Sequence, residues 1–512
     1  MSVSAAVPLM QLEASLEAFD TVEPKPSSLP VPNPTRSFWI DSAPDANPLA
    51  AEGSTGSFTE DADICIIGSG ITGVSAAYHL SVAVERGELP RSDKPLRVVI
   101  LEARDFCKSL WCHRFGFFVC CLLINNLDDP GRNGGHLTPA VFIDFCSYQA
   151  KYGTEQAVRC FQLENHTASE IVKIIHEEGW TESVDLVQNG HTTISFTPGE
   201  HQDIEADFQA AEAAGMDLAN VNWLTKEETQ IKYGADYPTV EFGGFNLWPL
   251  KFVTRLYQLA KSKSGSHFEL NLHTRTPATS ISPSLSSSRR WAVGTHRGSL
   301  NCSYIIHATN AYASHLLPHL SGPAGIVPTR GQIIAVRANV PADELRKCSW
   351  DGNEGFEYWF PRPASSDETP LVILGGGREV ESPVFEWGQT DDSSLNDIVG
   401  LSLRKFLPAV FPGKFEEGKE SEMEWTGIMA YTKLHDPFVG PVLDKSNPDG
   451  QSFEGQYISA GYSGHGMPRA FSCGAVVASM VESNITGRPW ELPPWFPEPF
   501  LTANRLGNTR NV

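Results

Sequence analysis

The chain has 512 residues, 61 acidic against 39 basic, and a formal charge of −22, which disfavours nucleic acid and anionic membrane surfaces as partners. No apolar run reaches the roughly 18 residues that a spanning helix needs, and the start MSVSAAVPLMQLEASLEAF has neither the basic flank of a signal peptide nor the arginines of a transit peptide. Cytoplasmic work on a small molecule is expected, and the ten cysteines, with no C-x-x-C pair among them, point to reduced thiols and no metal.

Residues 21–60 are rich in Pro, Ser, Asp and Gly, which suits an extended arm, with Trp39 and Ile40 pinning it to the surface. The organising stretch follows. Ile64 to Ile67 form an apolar run that stops at glycines, as a strand buried on both faces does. Gly68, Gly70 and Gly73 stand in G-x-G-x-x-G spacing. The first allows the tight turn, the second lets backbone approach a pyrophosphate, and the third lets helix and strand pack closely. Thr72 to Glu85 reads as the helix, whose free N–H groups suit phosphate. Val98 to Leu101 is a second buried strand, and Glu102 follows where a carboxylate can accept from ribose hydroxyls. It lies further from Gly68 than the roughly 20 residues usual for that acid, the polar stretch Glu85 to Lys94 accounting for the excess. An NAD-dependent dehydrogenase would need no more than this motif.

Gly131 to His136 make a second glycine-rich turn, able to bring amides and a guanidinium close to a ligand. Phe142 to Tyr152 and Thr167 to Glu178 read as helices, the second opened by Thr167 and Glu170 as a capping box. Ala206 to Ala214 and Lys251 to Ala260 are two more, and the aromatic segment Gly243 to Pro249 is either a cavity border or core. From Phe268 the pattern turns to strands, with a hairpin around Arg297-Gly298 whose second strand runs on to Ala308, Thr309 and Asn310. Stretches 321–340 and 356–377 read as strands of a second sheet, and Ser394 to Phe406 as a helix. Tyr457 to Ala460 is a short strand before Gly461 to Gly466 (GYSGHG), after which Met467 and Pro468 open a helix running past Met480. Glycine-rich turns on either side of a β-rich middle imply a nucleotide domain that is discontinuous in sequence.

The stretches DADICIIGSGITGVSAAYHL, VVILEARDF, GRNGGH, IIHATNAY, PTRGQ, WTGIMAYTKLHDPFVGPV and GYSGHGMPRAFSCG resemble the FAD-dependent oxidoreductases of the D-amino acid oxidase superfamily, in particular its sarcosine, glycine and γ-glutamylputrescine oxidase branch. The resemblance spans roughly residues 60 to 485. It implies an α/β fold, a Rossmann-like FAD domain interleaved with an α+β substrate domain on a mixed sheet. The expected layout is an arm to residue 60, FAD-domain parts at 61–185, 276–325 and 425–490, substrate-domain parts at 186–275 and 326–424, and a tail at 491–512.

By the same resemblance, Gly68, Gly70 and Gly73 take the pyrophosphate and Glu102 the adenosine ribose. Arg132, Asn133 and Gly134 lie beside the isoalloxazine, with Gly464, His465, Gly466 and Met467 at its pyrimidine edge. Ile71, Thr72, Ala103, Arg104, Gly135, His136, Ala278, Ala308, Thr309 and Gly461 complete the expected cofactor contacts. Arg330, Tyr358, Tyr431 and His465 are the candidate catalytic or pocket residues. The implied reaction is hydride transfer from the carbon of a C–N bond in a small amine or amino acid to flavin N5, with imine hydrolysis and reoxidation by oxygen. Two departures stand out. Met429 precedes Ala430, Tyr431 and Thr432 where some sarcosine oxidases carry a flavin-linking cysteine, so FAD is expected to be non-covalent. The LVILGGG stretch, Leu371 to Gly377, lacks the lysine that assists oxygen in those enzymes, which leaves oxidase and dehydrogenase both open.

Residues 108–130, KSLWCHRFGFFVCCLLINNLDDP, stand where the family pattern has a short Ser-Gly-Ala-Thr link. They show neither helical nor strand periodicity, and their Phe, Cys, Leu and Val codons are rich in thymine. They read as a retained intron or mistaken gene model; the alternative is a lineage-specific surface loop. Either way poor expression and weak FAD binding are expected, with replacement by Ser-Gly-Ala-Thr restoring both. A flavin fold with impaired cofactor binding is the third reading of the chain.

Overall fold

The computed structural model describes residues 17–89, 94–107, 131–286, 288–382, 384–444 and 451–505. Residues 108–130, read above as an anomalous insert, lie outside the described residues.

All four residues of Ile64–Ile67 are buried, which places this strand in the middle of a sheet. It pairs in parallel with Tyr304–His307 on one side and Leu96–Leu101 on the other. Phe268–His273 extends the parallel run beyond Leu96–Leu101 and Gln456–Ala460 beyond Tyr304–His307. Phe438–Pro441 closes that edge antiparallel. Widely separated stretches of chain therefore build one six-stranded sheet. Such a sheet must be covered on both faces. Ile71–Glu85 packs against it, and Pro249–Ser262 and Ala470–Thr486 pack on that helix. A Cβ on Gly474 would lie 2.6 Å from the Thr72 carbonyl oxygen, so glycine is what permits this separation. The Ser75 hydroxyl crosses the same contact to the Phe471 carbonyl at 2.6 Å.

The second sheet has eight strands, in the order Met423–Tyr431, Val327–Arg337, Leu371–Gly375, Glu357–Pro361, Ser349–Gly352, His191–Ile194, Thr239–Phe242, Asn222–Leu224. It is mixed, because Ser349–Gly352 and His191–Ile194 run parallel while the other neighbours are antiparallel. Helix Asp397–Val410 covers it, with Leu403, Phe406 and Leu407 in one core with Trp359 and Leu374. The Asn396 side chain caps that helix by accepting from the Ile398 and Val399 amides at 2.7 and 3.2 Å. The expected hairpin forms from Trp291–Thr295 and Gly298–Cys302, and its exit strand joins the first sheet.

Three local expectations fail. Thr167 lies inside one long helix, Thr154–Glu177, and its hydroxyl bonds the Leu163 carbonyl at 2.8 Å instead of capping. A Thr-x-x-Glu pattern marks a helix start only where the preceding residues do not themselves propagate the helix. The described capping box is at Thr225 and Glu228. The helix after GYSGHG begins at Ala470, with Met467 and Pro468 in the turn before it. Trp39 and Ile40 do more than pin an arm to a surface. Both are buried in the main core, with Trp39 packed against Phe38, Trp248, Phe360 and Trp425.

Candidate functional site

Where Ile64–Ile67 ends, Gly68 turns with φ of +110°, and a Cβ there would lie 2.4 Å from the Ala308 carbonyl oxygen. A Cβ on Gly73 would lie 2.0 Å from the Gly68 carbonyl oxygen. Both positions require glycine, the first for its backbone conformation and close approach, the second for contact alone. Gly70 caps the helix with no side-chain bond, so the first-turn amides of Ile71, Thr72 and Gly73 stay open toward the turn. The Thr72 hydroxyl lies 3.0 Å from that of Tyr462, which ties this turn to the one at 461–466.

A cleft opens here. Its wall unites Gly68, Gly70, Glu102, Ala103, Arg104, Arg132, Ala278, Ala308 and Thr309, nine of the residues expected from sequence. The Glu102 carboxylate accepts from the Ser69 amide and hydroxyl at 3.0 and 2.8 Å and from the Arg104 amide at 2.9 Å. The chain thus holds it at the cleft's edge in one orientation. The Thr309 hydroxyl is buried in this wall without a partner, and a buried hydroxyl left so is costly until a ligand meets it. The glycine cradle, the open helix end and this hydroxyl together suit the pyrophosphate and hydroxyls of a dinucleotide.

The turn at 131–136 is held by the second sheet and by the N-terminal arm. Arg132 donates to the Thr426 carbonyl and, at 2.7 Å, to the Thr35 carbonyl. The Asn133 carbonyl accepts from the Trp39 indole, its side-chain oxygen accepts from the Gly135 amide at 3.0 Å, and its amide nitrogen is buried without a partner. His136 sits edge-on to Tyr358 and Phe360, with ring centres 5.1 and 5.0 Å away. Burial, helped by His191, lowers its pKa to about 3, so the ring is neutral at physiological pH.

The turn at 461–467 is anchored by Gly461, whose amide donates to the Asn310 side chain at 2.9 Å, and by the Ser463 amide, which donates to the Ala430 carbonyl at 2.7 Å. His465 lies 3.1 Å from Glu164. Burial opposes ionisation of Glu164, but His465 and Arg469 outweigh it and hold the carboxyl at about 2. Arg469 reaches Glu164 at 2.8 Å, Asp436 at 3.4 Å and the Tyr148 hydroxyl at 2.7 Å. Gly464, Gly466 and Met467 complete this turn, and Met467 is buried.

None of Arg330, Tyr358, Tyr431 and His465 lines the cleft at Gly68. Arg330 pairs with Glu386 at 2.9 Å and donates to the Asp391 carbonyl and the Ser394 hydroxyl at 3.1 Å each. Tyr431 accepts from Arg378 at 3.0 Å. Sequence reasoning missed Arg378. It is buried, its guanidinium carbon lies 4.6 to 4.7 Å from the ring centres of Phe356, Trp387 and Tyr431, and its Nη1 has no partner. The available signal was its place directly after Gly376-Gly377, where only a lysine was sought. Glu164 was missed for a different reason: nothing local marks a carboxylate as facing a turn some three hundred residues away. Among the described residues no group of three His, Cys, Asp or Glu is placed to hold a metal ion, and no helix is long and apolar enough to cross a membrane.

The family model of FAD dependent oxidoreductases, DAO, matches residues 63–480. The gamma-glutamylputrescine oxidoreductase of Escherichia coli is 24% identical over 434 residues, covering 82% of this chain and 84% of that protein. A probable oxidoreductase OrdL of Rhizobium meliloti is 22% identical over 447 residues, covering 83% and 84%. Among solved structures, glycine oxidase from Geobacillus kaustophilus superposes with a TM-score of 0.57 at 18% identity, over 86% of this chain and 99% of that one. L-amino acid deaminase from Proteus myxofaciens, in complex with anthranilate, reaches 0.60 at 16% identity, over 94% and 98%. At these identities the structures establish the fold, and the family match over most of the chain establishes more: this protein belongs to the DAO family of FAD dependent oxidoreductases.

Proposed function

We propose that this chain oxidises the C–N bond of a small amine or amino acid, with FAD held non-covalently and molecular oxygen as final acceptor. Bound FAD supplies the acceptor for the hydride that leaves the substrate carbon. The observation that carries the reading is the cleft at Gly68, with its glycine cradle, open helix end and unpartnered Thr309 hydroxyl. Gly68, Gly70 and the first-turn amides would hold the pyrophosphate, Glu102 a ribose hydroxyl, and Thr309 a further polar atom of the cofactor. Asn133 and the 461–467 turn would carry the ring end. His465, held by Glu164 at 3.1 Å, would present its ring at that turn, where reduced cofactor gathers negative charge. Neutral His136, between Tyr358 and Phe360, would keep the opposite side apolar and dry, which preserves the uncharged amine lone pair that expels a hydride.

Met429 supports the non-covalent reading: it is buried in the strand Met423–Tyr431, and a thioether forms no bond to flavin. The amine and amino-acid class is drawn from the relatives named above. A screen of amines and amino acids with a peroxide readout tests the reaction. The expected result is peroxide from at least one of them, and flavin that leaves the protein on acid precipitation. Turnover with an artificial electron acceptor but none with oxygen would make the enzyme a dehydrogenase, and flavin in the acid pellet would overturn the non-covalent assignment.

A further inference from the structure

Residues 27–39 precede the matched region, which begins at residue 63, yet they reach the cleft. Ser27 is fixed on one side: its amide donates to the Ser314 hydroxyl at 2.9 Å, and its carbonyl lies 3.2 Å from His315 Nδ1. Thr35 is fixed on the other. Its amide donates to the Asp392 carbonyl at 2.8 Å, its hydroxyl accepts from the Thr426 amide at 2.8 Å, and its carbonyl accepts from Arg132 at 2.7 Å. Ser314 and His315 lie in the short helix shortly after Tyr304–His307 of the first sheet, whereas Thr426 belongs to the second. The segment therefore bridges the two sheets. Beyond it, Ser37 bonds the Gly131 carbonyl and Trp39 is buried in the core.

Between the anchors the sequence Leu29-Pro30-Val31-Pro32-Asn33-Pro34 carries proline at every second position. Each ring fixes φ, so the segment loses little freedom when held extended. At about 3.1 Å per residue the run from Ser27 to Thr35 would reach roughly 25 Å if fully extended, and it bends at Pro32 and Asn33 on its way between the two anchors. Leu29 and Pro30 line the cleft together with Gly68, Gly70 and Glu102. The Val31 carbonyl accepts from Arg104, which also reaches the buried carboxylate of Asp392 at 3.1 Å. A chain running outside the family's matched region thus supplies one wall of the dinucleotide cleft and is tied to two of its charged residues.

We infer that residues 27–37 are a strap belonging to the cofactor site: the apolar Leu29–Pro30 edge closes the cleft over the dinucleotide and slows its release. The inference rests on the FAD reading above. Its stiffness comes from the prolines, and its hold comes from the hydrogen bonds at Ser27 and Thr35, the one from the Arg132 guanidinium among them, with Trp39 keeping the arm in place.

Two measurements on the full-length chain loaded with FAD test this. The first is the rate at which FAD leaves on dilution, followed by the rise in free flavin fluorescence, for the parent and for the Pro30→Gly, Pro32→Gly, Pro34→Gly triple variant. Release at least about tenfold faster in the variant is expected, with an unchanged circular dichroism spectrum; rates within about twofold overturn the strap. The second avoids any folding defect of the triple variant. Alkylation of the Leu29→Cys side chain, located by mass spectrometry, should slow at least about tenfold when FAD is bound. Equal rates with and without FAD overturn the inference. A parent chain that takes up no FAD at all would bring down the cofactor reading first, and the strap with it.

Discussion

The Gly68 cleft and the surroundings of Tyr431 are built from different materials. Around Gly68 the walls are backbone: the Ala308 and Gly68 carbonyls meet glycines where a Cβ would come within 2.4 and 2.0 Å, and amides of Ser69 and Arg104 hold Glu102. Around Tyr431 the walls are side chains. Arg378 lies under Phe356, Trp387 and Tyr431, and the neighbouring carboxyls Glu357 and Glu379 are buried. Burial, reinforced by Glu379, pushes the Glu357 carboxyl well above its usual range, so this pair holds a proton where two carboxylates would repel. Backbone walls need glycines at fixed spacing and serve one kind of ligand. Side-chain walls need no fixed spacing and leave no such motif in the sequence.

The contrast can be broken most strongly at the backbone wall. Gly70→Val places a side chain where backbone would approach the pyrophosphate, and FAD affinity should fall by about a thousandfold while the melting temperature of the flavin-free variant stays close to that of the flavin-free parent. Full flavin content in the purified variant would show that the turn has another role.

Glu164→Gln tests whether the 461–467 turn depends on side-chain charge. It leaves Arg469 buried with one carboxylate partner fewer and should cost about 3 kcal/mol in urea unfolding at neutral pH. The Glu164 carboxyl is depressed from 4.5 to about 2. Its contribution is therefore complete above pH 4.5 and is lost as pH falls toward 2, so the gap between parent and variant should close over that window. A gap independent of pH would assign the loss to packing.

Arg378→Met probes the side-chain wall through substrate. Its unpartnered nitrogen beside Tyr431 can only donate, so it should engage the carboxylate of an amino-acid substrate, and KM for such a substrate should rise about tenfold with FAD content unchanged. An unaltered KM with a lower melting temperature would make Arg378 a strut between aromatic rings. The smallest effect is expected for Glu357→Gln. Because the folded carboxyl is raised, its contribution is full below pH 4.5 and fades as pH rises through the folded value. The variant should differ from the parent by less than about 1 kcal/mol at pH 5 and should lose less stability than the parent as pH rises. Equal alkaline loss in both would place the proton elsewhere.

The same difference in building material decided what could be read from the sequence. Gly68 and Gly73 announce themselves because a Cβ at either would run into backbone, Gly70 by its place between them in the G-x-G-x-x-G spacing, and the Ile64–Ile67 run announces a buried parallel strand because both of its faces are covered. Thr167 misled because a capping pattern is local, whereas the helix around it starts at Thr154. Trp39 was underrated because composition alone describes residues 21–60, and only the fold shows four aromatic neighbours around its ring. Arg378 and Glu164 were invisible for the reason that makes them informative now: each acts on residues distant in sequence.

The central claim, C–N oxidation in this family's FAD site, is tested most directly by supplying the purified protein with FAD, removing the excess, mixing it with amines and amino acids without oxygen and following its visible absorbance. The account predicts a yellow protein bleached by at least one amine or amino acid and by no alcohol or 2-hydroxy acid. A colourless protein that binds NADH, or a flavin that alcohols reduce and amines do not, would contradict it.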